Sequence, residues 1–334
     1  MPSHKVLEHS YPPQITPRPE WTIIDSTKLN AAQTCMRKYF YEHTLGWKPD
    51  WPNIHLHFGS SFHIGMEHLT LNKDNMSDAI IAEAFSLFLE EYRRAFSEED
   101  DLKNAPKNPE NCLKAFMEYA ETYKDDNFRV LYTEVVGSAS IDEDHAIHFK
   151  IDAMCEGPEG IFCLEHKTTG ADSKAWREQW RLALQPGTYT HALYSLFPMD
   201  DVFGVKINGI ILRKMGNAFA RIPIRKTESQ MQAWLWNTRR LISELEFAYE
   251  ELSRATEDDQ ILTAFPMNTT SCTMYNSVCP YLDFCDAWPN PLQRCSDTPI
   301  GYKNEIWDPR KKEEEGARFK VEDGQIKELG TCIK

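Results

Sequence analysis

No stretch of the 334-residue chain approaches eighteen uninterrupted apolar residues, so no segment is expected to cross a membrane. The opening MPSHKVLEHSYPPQ lacks the apolar centre of a secretion signal, and the chain reads as cytoplasmic. It has no phosphate-binding GxxxxGK[ST] loop and no internal repeat, which excludes a nucleotide-driven helicase motor. Positive charge is also short. Lys and Arg number 37 against 51 Asp and Glu, a net −14 that disfavours binding to phosphate.

The distribution of charge matters more than its total. Between His166 and Arg240 there are 12 Lys and Arg against 5 Asp and Glu, whereas Glu244 to Asp259 is strongly acidic. A cationic face is therefore compatible with the composition. A hydrophobic content of 41% with 26% charged residues is that of an ordinary globular protein. The nine cysteines are Cys35, Cys112, Cys155, Cys163, Cys272, Cys279, Cys285, Cys295 and Cys332. In a reducing cytoplasm they are expected as packed thiols or metal ligands, and an odd count argues against complete internal pairing.

Pro12, Pro13, Pro17 and Pro19 within residues 1–25 predict an extended arm. Ser26 is expected to open a helix running to Gly46, with Leu29, Ala32, Met36, Tyr39, Phe40 and His43 near one stripe. Further helices are expected from about Gly59, over 77–96 and over 109–123. FRVLYTEVVGSASI, HAIHFKIDAMCE and GIFCLEHKT then read as three successive strands. A helical stretch follows Ser173 and restarts at Pro186. FGVKINGIILRK and AFARIPIRK form a further hairpin through Met215–Asn217, and a long helix capped by Thr227 and Gln230 reaches Leu252. This order predicts an α+β fold. Residues 26–300 read as one domain, with 301–334 as a charged, mobile tail.

The sharpest chemistry lies in the central hairpin. If residues 157–160 form its loop, cross-strand partners carry numbers summing to 317, and Asp152 sits opposite Glu165. Strand alternation puts Glu165 and Lys167 on one face and His166 on the other. Two facing carboxylates repel unless a cation lies between them, and hard oxygen donors suit Mg2+ or Mn2+. Such a metal acidifies water and polarises a phosphoryl oxygen, while the ammonium of Lys167 stabilises developing negative charge. The same register places Lys150 opposite Lys167, as a second phosphate contact or a sign that the register differs by one residue. A surface hairpin with ordinary charges is the bland alternative. Ile151, Phe162 and Leu164 argue against it, because ionisable groups among buried neighbours are costly.

Asp152 followed by Glu165-His166-Lys167 resembles the signature of PD-(D/E)xK nucleases, particularly the RecB-type branch. His63 in FGSSFHIGMEHL and Gln185-Pro-Gly-Thr-Tyr189 match that branch's upstream His and its Q-x-x-x-Y helix. The resemblance spans roughly Leu29 to Cys285 and implies a restriction-endonuclease-like core: a small mixed sheet flanked by helices, with a helical N-terminal part and a cysteine-rich C-terminal part. It implies a metal held by His63, Asp152, Glu165 and the main-chain carbonyl of His166, with Glu134 as a further acidic position. Gln185 and Tyr189 would position DNA near the scissile phosphate. Pro186 departs from the motif and fits best as the first residue of a helix capped by Gln185. Arg177 and Arg181, eight and four residues before Gln185, would add cations to one helical face for phosphate contact. Trp176 and Trp180 share that spacing as core anchors.

Some RecB-type nucleases carry an iron–sulfur cluster on one Cys before the catalytic motifs and three after. Similarity to them implies a [4Fe–4S] cluster on Cys35, Cys272, Cys279 and Cys285. Cys272 to Cys279 is spaced C-x6-C instead of the usual C-x2-C, so Cys295 as a replacement ligand, or a zinc clip on the same residues, stays open. The implied function is a DNA exonuclease of recombination, repair or phage DNA processing, in a bacterial or phage-type setting. DNA ends would be its partner, with recombination proteins alongside. An endonuclease or nickase, a non-catalytic DNA-binding factor on a nuclease fold, and a cysteine-based redox protein are the alternatives.

Overall fold

A computed structural model describes residues 5–274, 277–314, 319–322 and 325–328. In chain order the elements begin with α1 (Lys5–Glu8), β1 (Ile24–Asp25), α2 (Ser26–Thr34), α3 (Met36–Tyr39) and β2 (Trp47–Pro49). Next come α4 (Ile54–Leu71), α5 (Asp78–Tyr92), α6 (Asp101–Asn104), α7 (Pro109–Thr122), β3 (Arg129–Ser140), β4 (Ala146–Gly157) and β5 (Gly160–Thr169). The remainder is α8 (Lys174–Glu178), α9 (Leu184–Leu196), β6 (Val202–Ile211), β7 (Ala218–Ile224), α10 (Glu228–Arg254), β8 (Thr273–Met274), β9 (Ser277–Val278), α11 (Leu282–Ala287), β10 (Tyr302–Asn304), β11 (Phe319–Glu322) and β12 (Gln325–Glu328). The fold is α+β, with a mixed sheet flanked by helices. No helix among the described residues is long and apolar enough to cross a membrane.

The chain divides into two compact units. The first comprises Met1–Trp51, Ser138–His148 and Glu228–Lys311, and the second Pro52–Gly137, Phe149–Thr227 and Lys312–Lys334.

In the first unit the expected extended arm is instead folded. Val6 in α1, Ile15 and Trp21 are all buried, and Trp21 stacks on Tyr249 of α10 at 4.8 Å between ring centres. Among the described residues of this segment the prolines occupy only positions 12, 13, 17 and 19, leaving these apolar residues free to anchor it. The single helix expected from Ser26 to Gly46 is also broken. Asp25 caps α2 by accepting the Lys28 N–H, and Cys35 then adopts an extended conformation (φ −167°, ψ 117°) before α3 resumes. β10 pairs with β2, so the start of the expected tail is ordered structure, and residues 315–318, 323–324 and 329–334 lie outside the described residues.

The second unit carries the sheet segment that positions the site. β4 and β5 are antiparallel, β5 and β6 parallel, and β6 and β7 antiparallel, while β3 pairs with β4. Gly160 closes the β4–β5 hairpin at φ +114°, where a Cβ would meet the Asp201 carbonyl at 2.5 Å, so glycine is required there. α4, α5 and α7 pack through Phe58, Phe62, Phe88 and Phe116, all fully buried. Each of these helices has an explicit start, with Asn53, Ser77 and Asn108 accepting main-chain N–H groups as caps. α4 thus begins five residues before the expected Gly59, because Asn53 supplies the cap. α9 likewise begins at Leu184, so Pro186 stands at its third position and Gln185 is inside the helix instead of capping it. Proline is tolerated there because first-turn N–H groups have no intrahelical acceptor.

Candidate active site

The expected hairpin register holds. Ala153 pairs with Leu164 and Gly157 with Gly160. The paired ladder ends at Ala153, and the Asp152 carboxylate takes over from the main chain: its Oδ2 accepts the His166 N–H at 2.8 Å. Its Oδ1 lies 3.1 Å from Nδ1 of His63, which α4 presents to the sheet. Glu165, 2% exposed, lies with Oε1 2.6 Å from Lys167 Nζ. Its other oxygen, Oε2, is buried and has no hydrogen-bond partner. The side chain of His166 points the other way, as strand alternation requires, and its Nδ1 accepts from Asn208 Nδ2 at 2.7 Å.

These contacts drive the two carboxyls apart. Burial, and then the charge of Asp152, push Glu165 up toward its protonated form, against the pull of Lys167 and His63. Asp152 is held well below the usual carboxylate range: burial opposes this, but His63, the neighbouring His166 and Lys167 outweigh it. For His63 burial again works toward the neutral form, and Asp152 overcomes it to shift the imidazole upward. Lys167 is likewise raised, with Glu165 and Asp152 outweighing its burial. One ionised and one proton-seeking carboxyl side by side is an arrangement that a shared cation relieves.

Glu134 belongs to the same neighbourhood. It sits in β3 at φ +51°, a left-handed conformation that a non-glycine strand residue rarely adopts, and its carboxylate pairs with Lys150. Lys150 thus pairs with Glu134, and the Ala153–Leu164 pairing shows no shift of the hairpin register. Burial pushes Glu134 up and Lys150 opposes it, with Asp152 and Glu67 adding to the rise. Glu67 was not anticipated, although it lies one helical turn after His63 on the same face of α4. It accepts the Thr133 hydroxyl at 3.0 Å. Asn208 was also missed. Its signal is one polar residue in the buried run of β6, and it links His166 to Arg221 and Tyr119 through its amide.

Gln185 and Tyr189 are brought together: Gln185 Nε2 donates to the Tyr189 hydroxyl at 2.8 Å, and that hydroxyl donates to the Lys150 carbonyl at 2.6 Å. The expected continuous face of Arg177, Arg181 and Gln185 does not form. α8 ends at Glu178, a 3-10 turn covers Gln179–Arg181, and α9 starts anew at Leu184. Arg177 pairs with Asp172 and Arg181 with Glu178. Trp176 and Trp180 pack edge to face at 5.9 Å, in keeping with an anchoring role.

The donors able to hold a hard cation are the carboxylates of Asp152 and Glu165, the ring of His63 and the His166 carbonyl. Among the described residues, no three His, Cys, Asp or Glu side chains are gathered into a formed metal cage. Three of the four carboxylate oxygens are instead turned onto His63, the His166 N–H and Lys167. The orphaned Glu165 Oε2 fits a metal ligand, since a buried carboxylate oxygen is costly without a partner.

In the first unit, burial raises the thiols of Cys279 and Cys285, with Cys35 and Cys272 adding to the rise, but among the described residues these cysteines are not gathered into a group that could hold a metal. Cys35 Sγ accepts the Asn268 N–H at 3.3 Å, and the Cys279 N–H donates to the Cys272 carbonyl at 2.8 Å. Cys295 is buried elsewhere, with its thiol on the Leu292 carbonyl, and does not join them.

A family model described as the PD-(D/E)XK nuclease superfamily matches residues 26–286. The chain belongs to the PD-(D/E)XK nuclease superfamily. Its nucleases are typically metal-dependent hydrolases of nucleic acid that commonly use Mg2+ or Mn2+, and the hairpin carrying Asp152, Glu165 and Lys167 lies inside the matched span. No curated protein matches the chain. Among solved structures, one titled "Crystal structure of SSO0001" aligns at 12% identity over 67% of this chain and 89% of that one, with a TM-score of 0.25. A likeness that loose carries no argument about the site.

Proposed function

We propose that this superfamily member is a Mg2+- or Mn2+-dependent deoxyribonuclease of the RecB-type branch, acting as an exonuclease in recombination, repair or phage DNA processing. The observation that carries the reading is the buried, unpartnered Glu165 Oε2 beside the ionised Asp152. When bound, the cation supplies Lewis-acid activation of the phosphodiester and acidifies water. Asp152, Glu165, His63 and the His166 carbonyl hold it. The His166 N–H fixes the orientation of Asp152, and His63 bears on its other oxygen. Lys167 orients the attacking water and stabilises charge developing on the phosphate. Tyr189, itself fixed by Gln185, ties down β4 two residues before Asp152 and positions the DNA strand. Cys35, Cys272, Cys279 and Cys285 would hold a [4Fe–4S] cluster, with zinc as the alternative; their soft donor set supports this.

The test is cleavage of end-labelled linear and circular DNA with Mg2+ or Mn2+. Wild-type protein should shorten linear DNA from its ends, and Asp152→Ala and Glu165→Ala should each abolish cleavage while keeping the fold. Undiminished metal-dependent cleavage by either variant would overturn the assignment. Cutting of circles would make the enzyme an endonuclease or nickase, and DNA binding without cleavage a non-catalytic factor.

A further inference from the structure

Three polar residues stand abreast in the middle of the sheet. His166 of β5 pairs with Asn208 of β6, and Asn208 pairs with Arg221 of β7. His166 and Asn208 are buried, and β6 is otherwise apolar or glycine apart from Lys206. The three side chains are joined end to end. Asn208 Nδ2 donates to His166 Nδ1 at 2.7 Å, and Arg221 Nε donates to Asn208 Oδ1 at 2.8 Å. Arg221 is held in turn by the Asp126 carboxylate at 2.7 Å and lies over the Tyr123 ring at 4.0 Å. The Tyr119 hydroxyl accepts from both Asn208 and Arg221.

Each link in this row fixes the next. A guanidinium only donates, so Arg221 must face the oxygen of the Asn208 amide. The amide nitrogen then faces His166 and can only donate, so His166 Nδ1 accepts and the ring proton sits on Nε2. That nitrogen lies 3.4 Å from the Thr70 hydroxyl on α4. The row ends on the residue whose main chain belongs to the candidate site: the His166 N–H holds Asp152 Oδ2 at 2.8 Å, and the His166 carbonyl is among the donors able to hold a cation. A sheet alone gains little from such a row, because apolar side chains of similar volume would fill the space without burying polar groups. What a fully bonded row adds is one allowed orientation for the His166 ring and the peptide behind it.

We propose that Asn208, oriented by Arg221, is a positioning residue for the nuclease centre: it locks the His166 ring, and through it the peptide that bears on Asp152 and on the cation. The inference rests on the nuclease reading above. Asn208 touches neither metal nor DNA in this role. It acts by keeping the Asp152 carboxylate and the His166 carbonyl aimed before a cation arrives, and groups that orient metal ligands in this way set affinity by about tenfold to a hundredfold.

The experiment uses the full-length protein and Mn2+ alone. Asn208→Leu keeps the volume and removes the hydrogen bonds to His166 and Arg221. Its Mn2+ affinity by calorimetry should fall about tenfold or more. The His166 amide should also exchange with solvent faster relative to the other β5 amides, a local change that lower global stability does not produce. Asn208→Asp keeps an oxygen for Arg221 and, with the ring proton moved to Nδ1, an acceptor for His166, so its affinity should stay within about a few-fold of wild type. Should Asn208→Leu not fold, Arg221→Lys carries the comparison: it keeps a cation beside Asp126, loses the fork that orients the amide, and should weaken Mn2+ binding by a smaller factor. Mn2+ affinity and His166 exchange unchanged in the folded variants, or equal losses in Asn208→Leu and Asn208→Asp, would overturn this inference alone. A wild-type protein that neither binds Mn2+ nor cleaves DNA would overturn the nuclease reading, and this inference with it.

Discussion

The ammonium of Lys167 lies 2.6 Å from Glu165 Oε1 and is the nearest positive charge that the chain offers this carboxyl. Removing it leaves the donor oxygens of Asp152 and Glu165 in place but takes away the group placed to stabilise a phosphate in transition. Lys167→Ala should therefore lower single-turnover cleavage by about 100-fold or more, with Mn2+ affinity by calorimetry changed only a few-fold. An equal loss in both would make Lys167 a keeper of the metal site. Tyr189 tests the support behind that site. Its hydroxyl accepts from Gln185 and donates to the Lys150 carbonyl in a buried setting, so Tyr189→Phe strips a main-chain acceptor of its donor. Urea denaturation should show a loss of about 1–3 kcal/mol. A phenylalanine variant as stable as wild type would show that β4 is held by its strand pairing alone.

Elements meet in the first unit through the turn that joins β3 to β4. His145 lies there with Nδ1 2.8 Å from Asp142 Oδ1 and Nε2 3.1 Å from Glu246 Oε1 on α10, while Arg239 of α10 donates to the Ile141 carbonyl at 2.9 Å. The Glu246 hydrogen bond raises the His145 pKa, with Asp142 adding to it against partial burial. A folded-state value above the unfolded one, about 6.5, means the contribution is complete below that pH and fades as pH climbs through the folded value. The stability difference between wild type and His145→Gln should accordingly shrink as pH is raised from about 5 to 9, and a difference flat in pH would exclude the charged bridge. None of this was legible in the sequence, because Asp142, His145 and Glu246 come together only through tertiary packing. The β4–β5 hairpin was legible: the Gly157–Gly160 loop fixes the register, and the register brings Asp152 to the Glu165-His166-Lys167 segment. The breaks were not. Cys35 turns extended amid a helical pattern, and the helix after Ser173 stops before Ala183, so periodicity joined Arg177 and Arg181 to Gln185 where the chain does not. Asn208 and Glu67 escaped for a related reason, since each becomes informative only once its buried partner is known.

At the scale of the whole molecule, the first unit is assembled from three stretches widely separated in sequence. Among their cross-connections, beside the β2–β10 pairing and the stacking of Trp21 on Tyr249, are hydrogen bonds from Tyr281 to the Trp47 carbonyl, from Asn268 to Cys35 Sγ across 233 residues, and from Arg37 to the carbonyls of Leu262 and Phe265. A metal shared by Cys35 and the 272–285 group would close that same long loop covalently, restricting the unfolded chain and making metal binding part of the folding free energy. Removing it should then do more than slow DNA cleavage. Anaerobic protein treated with a chelator should melt several degrees lower than metal-loaded protein, and Cys35→Ser, Cys279→Ser and Cys285→Ser should each reproduce the loss of metal and of stability. Cys272→Ser should match them if the C-x6-C spacing is tolerated. Cys295→Ser is the control, because its thiol is spoken for by the Leu292 carbonyl: metal content should stay at the wild-type level. Retention of metal by Cys35→Ser would confine the clip to the C-terminal cysteines and remove the long loop from the argument. Metal loss from Cys295→Ser would place the fourth ligand where the present packing does not.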